Sequence, residues 1–181
     1  MQSPFISPSR GALSFDAMCA EILEYIREVP DAQYKLIIGT DSQVRQDTQF
    51  VTAVVVHRLG KGARYFYQTR KQRKIANLRQ KIFYEASLSL SLATRLADRL
   101  AALGGRLPNV EIHLDVGTQG ETRDLIREIV GMVTGSGFDA KIKPESYAAS
   151  SVADRHTKWA RRGAAAALGG AAAGGFPTIL A

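Results

Sequence analysis

The stretch Lys35-Leu36-Ile37-Ile38-Gly39-Thr40-Asp41-Ser42-Gln43 places an aspartate at the end of an apolar run. Isoleucine and threonine are enriched in strands, and an uninterrupted run of this kind is typical of a strand that is buried on both faces. The stretch therefore predicts a buried strand that brings the carboxylate of Asp41 to the rim of a sheet.

Three further acidic residues occupy comparable positions. Glu85 lies in a long amphipathic pattern, Asp115 follows the apolar run 110–114, and Asp154 lies near the start of the last predicted helix. Each of the four could instead form a turn, cap a helix or lie exposed on a helix. Together, on different elements, they indicate a divalent-metal site, because Mg²⁺ and Mn²⁺ take oxygen ligands.

Composition restricts the possible classes of protein. Among 181 residues, 24 Lys and Arg against 17 Asp and Glu give a net charge of +7. A basic surface around an acidic site suits a substrate held by its phosphates, although a generally solvated basic surface is an equal alternative. Cys19 is the only cysteine, which excludes an intrachain disulfide and a cysteine-rich zinc site.

The sequence pattern predicts neither a secretory signal at the start of the chain nor a membrane span. The first residues do not combine a charged segment with an apolar core, as a secretory signal does, and no apolar run is long enough to span a membrane. We therefore expect a cytoplasmic protein without a membrane partner, and the sequence does not define its oligomeric state.

Three segments are predicted along the chain: a flexible arm over 1–13, one domain over 14–162, and a flexible Ala/Gly-rich tail over 163–181. Periodicity and turn residues predict nine elements in the domain, with helices at 14–29, 75–103, 121–134 and from Ser151, and strands at 34–40, 50–57, 64–69, 110–115 and 138–144. This order indicates an α/β fold with a five-stranded mixed sheet, three antiparallel strands then two parallel, helices on both faces, and an additional N-terminal helix.

The element order and the acidic positions resemble the ribonuclease H-like superfamily over roughly residues 34–162. That superfamily carries Asp on the first strand, Glu in the first crossover helix, Asp after the fourth strand and Asp on the final helix. More closely, three motifs are similar to the bacterial YkuK-type family: Ile38-Gly39-Thr40-Asp41-Ser42-Gln43, Asp115-Val116-Gly117 with Gly120-Glu121-Thr122, and Ala153-Asp154-Arg155-His156-Thr157-Lys158.

The resemblance implies a ribonuclease H-like sheet and a two-metal site. Its pattern implies that two ions, Mg²⁺ or Mn²⁺, are bound by four ligands: Asp41, Glu85, Asp115 and Asp154. In such a site one ion activates water and the other stabilises the leaving oxygen. Gln43 stands where the proofreading exonucleases of the superfamily carry glutamate, which argues against that branch.

Two residues of the last motif are further candidate catalytic groups. Lys158 follows Asp154 by four residues and therefore lies on the same side of the helix, where it could contact the scissile phosphate. His156 lies roughly on the opposite helical face, so that it is either a proton shuttle or a structural residue.

Basic residues provide candidate nucleic-acid contacts. The predicted phosphate contacts are Arg70, Lys71, Arg73, Lys74 and Arg155. The leading hypothesis is a metal-dependent nuclease that hydrolyses phosphodiester bonds in RNA, an RNA/DNA hybrid or structured DNA. The alternative is a non-catalytic RNA- or ribosome-binding protein on the same fold.

Overall fold

The computed structural model describes residues 3–105, 107–117, 122–147, 149 and 151–156. Seven strands and three α-helices are present in these ranges: β1 (Phe5–Ser7), β2 (Gly11–Leu13), α1 (Phe15–Glu28), β3 (Tyr34–Val44), β4 (Asp47–Arg58), β5 (Gly62–Arg73), α2 (Leu78–Ala102), β6 (Asn109–His113), α3 (Ile126–Gly135) and β7 (Asp139–Lys141). A 3₁₀ turn, Arg123–Leu125, precedes α3. Residues 147, 149 and 151–156 are also helical and are called the last helical segment. Among the described helices, none is both long enough and apolar enough to cross a membrane.

The strands form one mixed sheet in the order β2-β1-β5-β4-β3-β6-β7. β3, β4 and β5 pair antiparallel, and β6 and β7 continue the sheet in parallel on the other side of β3. The expected mixed α/β fold is therefore confirmed, including three antiparallel strands followed by two parallel ones.

The expected number of five strands is wrong, because the sheet has seven. β1 and β2 form a hairpin that joins β5 through the pair Ile6 and Tyr67. The ring of Phe5 is buried and lies 6.1 Å from the ring of Phe15 on α1. Burial of this ring offsets the entropy lost on ordering the segment. Residues 5–13, assigned to a flexible arm on sequence grounds, therefore extend the sheet.

The two faces of β3 contribute to two different cores. Leu36 and Ile38 are buried in the main core, which lies between the sheet and the helices α1 and α2. Ile37 points to the opposite face, where it packs with Val55 and with Ala149 of the last helical segment. This alternation follows from the period of two along a strand.

The antiparallel strands are longer than the sequence pattern indicated. β5 remains paired with β4 as far as Arg73, which lies opposite Asp47. α2 begins only at Leu78, where the side chain of Asn77 caps the helix by accepting a hydrogen bond from Gln80. The basic residues Arg70, Lys71 and Arg73 therefore lie on a strand, beyond the end at residue 69 that the sequence pattern indicated.

Gly39 is the position at which the last helical segment comes closest to β3. A Cβ atom there would lie 2.8 Å from the Cβ of Ala149 and 3.1 Å from the carbonyl oxygen of His113.

We expect Gly39→Ala to lower the free energy of unfolding by about 1–3 kcal/mol, because overpacking displaces backbone and side chains. Urea denaturation measures this change. Gly131→Ala in α3 is the control, since its Cβ would meet nothing within 4 Å, and it should stabilise by about 0.5–1 kcal/mol. Equal stability of the two variants would contradict the close approach.

Candidate metal centre

Three of the four predicted carboxylates line one cleft at the edge of the sheet. Asp41 lies in β3, Asp115 follows β6, and Asp154 lies in the last helical segment. With Lys143 and Ser151 they border an open cleft of about 580 Å³. The structure thus brings together side chains that are widely separated in the sequence.

Strand register explains why two of these carboxylates are neighbours. β3 and β6 are parallel, with Gly39 opposite His113. Two residues further along the respective chains are Asp41 and Asp115, so both reach the same edge of the sheet. The expectation that β3 ends at Thr40, directly before Asp41, is wrong, because the strand continues to Val44 and Asp41 remains paired with β4.

The last helical segment brings the third carboxylate to the same edge. Ala153 packs against Val51 and Ala53 of β4. The His156 ring stacks on that of Tyr67, with centroids 3.7 Å apart and an angle of 13° between the planes. These contacts hold the last helical segment on the sheet. Asp154, which follows Ala153 in this segment, borders the cleft.

The structure places His156 in an aromatic stack rather than among the described residues that line the cleft. The side chain is only 9% exposed. Burial, and to a smaller extent the charge of Arg155, lowers the pKa of His156 below its usual value. This position supports the structural role that the sequence left open. The other candidate of the motif, Lys158, lies outside the described residues.

Glu85 approaches from the opposite face of the sheet, on α2. It is 8% exposed and lines a small pocket that Asp115 also borders. The hydroxyl of Ser42 donates a hydrogen bond to its Oε1 over 2.5 Å. Glu85 therefore adjoins the cleft through Asp115 without lining it, so that the four predicted ligands occupy two connected pockets.

Burial is the main influence on the charge of Glu85. It raises the pKa of this carboxyl to about 7. The hydrogen bond from Ser42 and the charge of Lys81 oppose the rise, whereas the carboxylates of Asp41 and Asp115 add to it. A bound cation would have the opposite effect and favour the ionised form.

Lys143 is a cleft residue that the sequence analysis missed. Its Nζ lies 2.8 Å from Oδ1 of Asp115, and this pairing raises the pKa of Lys143. The residue follows β7, which is parallel to β6. The rule that aligned Asp41 with Asp115 also places the end of β7 at this edge, so topology could have indicated Lys143. Ser151 was missed as well, and no pattern in the sequence distinguished it.

The donor set fits a hard divalent cation, since it consists of carboxylate oxygens. Within the described residues, however, no group of three His, Cys, Asp or Glu side chains is close enough to hold one ion. Asp115 is instead paired with the ammonium group of Lys143. A cation bound by Asp115 would have to compete with the Lys143 ammonium group.

The predicted phosphate contacts surround this edge at different positions. Arg70, Lys71 and Arg73 lie exposed at the end of β5, and Lys74 follows the strand. Arg155 is exposed beside Asp154 in the last helical segment. Their contacts with nucleic acid remain predictions.

Similarity to known proteins extends over most of the chain. A family model described as Ribonuclease H-like matches residues 17–158. The Bacillus subtilis (strain 168) protein named Uncharacterized protein YkuK is 38% identical in an alignment 166 residues long. The match covers 85% of this chain and 96% of that protein. No solved structure gives a significant match.

Without metal ions, we expect Glu85 to make the folded protein less stable as the pH rises. Its pKa of about 7 in the folded protein exceeds its ordinary value of 4.5, so the folded state holds a proton that the unfolded chain has lost. The resulting stabilisation is complete below pH 4.5 and is lost as the pH rises through about 7. The difference corresponds to roughly 3 kcal/mol.

Urea denaturation in EDTA, at about pH 5 and about pH 8, tests this expectation. Glu85→Gln keeps an acceptor for the Ser42 hydroxyl but cannot ionise. The variant should therefore lose less stability than the wild type between the two pH values. The same pH dependence in both proteins would contradict the raised pKa.

Proposed function

The chain belongs to the ribonuclease H-like family, and on that premise we propose that it is a metal-dependent nuclease that hydrolyses phosphodiester bonds in RNA, an RNA/DNA hybrid or structured DNA. The observation that carries the proposal is the convergence of Asp41, Asp115 and Asp154 on one open cleft. A fold can persist without such a cleft, so the acidic site supports the function more strongly than the fold does.

In this proposal Asp41, Asp115 and Asp154 hold Mg²⁺ or Mn²⁺, and Glu85 contributes from the adjoining pocket. When bound, two such ions supply an activated water and stabilise the leaving oxygen of an in-line displacement. The hydrogen bond from Ser42 fixes the orientation of the Glu85 carboxylate. Because Glu85 is buried, its charge is little screened by solvent.

Lys143 has two successive roles in this mechanism. In the metal-free protein its ammonium group neutralises Asp115 across 2.8 Å. Its side chain is 60% exposed and would be free to turn away if a cation were held by this carboxylate. At the cleft, the ammonium group of Lys143 would then be able to donate hydrogen bonds to a phosphate.

The same ion pair favours a second candidate function, a non-catalytic RNA- or ribosome-binding protein. In such a protein the ammonium group of Lys143 would stay paired with Asp115, and no metal ion would replace it. The basic residues of the surface would then bind phosphates without turnover. The two functions differ in whether the cleft binds a divalent cation.

Calorimetric titration with Mn²⁺ separates the two functions. For a nuclease, we expect the wild type to bind Mn²⁺ and Lys143→Met to bind it more tightly, by on the order of tenfold, because a competing charge is removed. Lys141→Met is the matched control, since Lys141 pairs with Glu145 and is not among the described cleft residues. Failure of both the wild type and Lys143→Met to bind Mn²⁺ would favour the non-catalytic protein.

Cleavage assays test the nuclease itself. Single-stranded RNA, hybrid, duplex and four-way junction substrates would be incubated with Mg²⁺ or Mn²⁺. We expect Asp41→Asn and Asp154→Asn each to lower the cleavage rate at least about 100-fold, because the amide keeps the shape of the ligand but loses its charge. Glu24→Gln, an exposed position on α1, should cleave at the wild-type rate. Undiminished cleavage by both aspartate variants would contradict the site.

A further inference from the structure

The distal part of β5 presents cations on the same face of the sheet as Asp41. Thr40 and Ser42 both form hydrogen bonds with side chains of α2, so Asp41, between them, points to the opposite face. Asp41 lies in register with Val51 of β4, and Val51 lies in register with Thr69 of β5. Thr69 therefore shares the face of Asp41.

The next rows of the sheet continue this face. Gln43, Gln49 and Lys71 lie in register on β3, β4 and β5. By the period of two, Lys71 and Arg73 share the face of Asp41, whereas Arg70 points to the side of α2. We call the surface formed by Gln43, Gln49, Lys71 and Arg73 the ribbon face. Lys71 and Arg73 are exposed, and the two glutamines are partly exposed.

The opposite face of the same strands is covered by α2. The ring of Phe50 lies 4.7 Å from the ring of Tyr84. The side chain of Gln72 donates a hydrogen bond to the Tyr84 hydroxyl over 2.7 Å. Arg70 lies opposite Phe50 in register and therefore on this covered side. Of the two faces of β5, the ribbon face is the one that continues the cleft surface within the described part of the chain.

The last helical segment lies beside the ribbon face. Its contacts with β5 include those of the His156 ring with the rings of Tyr65 and Tyr67. Val152 packs in the same apolar clusters as these two tyrosines. Lys71 lies two rows beyond Tyr67 on the same face. A strand that leaves the cleft can therefore pass from the helical segment onto the ribbon face.

The charges of the ribbon face are not neutralised within the described part of the chain. There, Lys71 and Arg73 form no ion pair, although Asp47 lies opposite Arg73 in register. At the other end of the same hairpin, Arg58 and Arg64 are both paired with Glu28. The cations near the cleft thus remain available to an anionic partner.

We propose that the ribbon face binds a single strand of nucleic acid as it leaves the cleft, with Lys71 and Arg73 on neighbouring phosphates. The two side chains start roughly 7 Å apart along β5, which is close to the spacing of neighbouring phosphates in an extended strand. Gln43 and Gln49 supply hydrogen-bond donors beside them. The position of the scissile phosphate rests on the proposed nuclease function, whereas strand binding does not require turnover.

Register also gives the distance between this surface and the cleft. Lys71 lies two strand spacings across and two residues along from Asp41, which corresponds to roughly 12 Å between their Cα atoms. A strand held at Asp41 would therefore reach Lys71 about two nucleotides from the scissile phosphate. Lys71 should accordingly contribute to the binding of strands longer than a dinucleotide and not to the binding of a dinucleotide.

Fluorescence anisotropy with labelled single strands of about 12 nucleotides, oligo(U) and oligo(dT), tests the proposal. The full chain would be titrated in EDTA at several salt concentrations, so that no cleavage occurs. We expect Lys71→Ala and Arg73→Ala each to reduce the slope of log K against log salt by about 0.7, the value for one lost phosphate contact on a single strand. A dinucleotide should show no such difference between the wild type and these variants.

Two further substitutions serve as controls. Lys61→Ala removes an exposed lysine from the turn at the far end of the β4–β5 hairpin and should leave the slope unchanged. Arg70→Ala removes a charge from the adjacent position on the α2 side, and its effect should be smaller than that of Lys71→Ala. An equal or larger effect of Arg70→Ala, or unchanged slopes for Lys71→Ala and Arg73→Ala, would overturn the proposal.

The nature of the partner and the nuclease function are tested separately. If Lys71→Ala and Arg73→Ala weaken binding to anionic phosphatidylserine vesicles as strongly as binding to oligonucleotides, the ribbon face is a general anion surface and the proposal is wrong. If both variants reduce the salt slope while the wild type cleaves nothing with Mn²⁺, the result supports strand binding by the ribbon face and contradicts the nuclease function.

Discussion

The pairing of β3 with β4 on one side and with β6 on the other is the constraint on which the rest of the structure depends. It assigns Leu36 and Ile38 to the main core, and Ile37 and Gly39 to the surface beneath the last helical segment. A slip of one residue would exchange these faces and turn Asp41 toward α2. The burial of apolar residues on both sides of β3 therefore also keeps a carboxylate at the cleft.

Two of the acidic residues at the cleft are neutralised, wholly or partly, in the metal-free protein. Asp115 is neutralised by Lys143, and Glu85 has a pKa raised to about 7 because it is buried near other carboxylates. Both arrangements reduce the repulsion that a group of ionised acids would otherwise create. A divalent cation would compensate the same charges more strongly, because it carries two positive charges to a single point. The proposed metal ions would thus take over a role that Lys143 and a proton fill in the metal-free protein.

Local sequence patterns predicted the central strands of the sheet, but they did not predict β1, β2 or the end of β5. The run ending at Asp41 is apolar and β-branched, so its strand was evident, whereas β1 and β2 have three residues each and depend on a distant partner, Tyr67. The end of β5 is rich in charges and is a strand only because β4 pairs with it. The four acids could be chosen as candidates because they fell on different predicted elements, in the order that the ribonuclease H-like pattern implies. The position of Lys143 at the cleft and the face on which Lys71 lies both depend on strand register. A short sequence pattern does not contain this information.

In the proposed site, Asp41, Asp115 and Asp154 together bind divalent cations. The most direct test is anomalous X-ray diffraction from crystals of the protein grown with Mn²⁺. We expect anomalous peaks in the cleft, within coordination distance of these carboxylates, with the ammonium group of Lys143 moved away from Asp115. A well-ordered cleft without an anomalous peak, and with Lys143 still paired to Asp115, would contradict the proposed site.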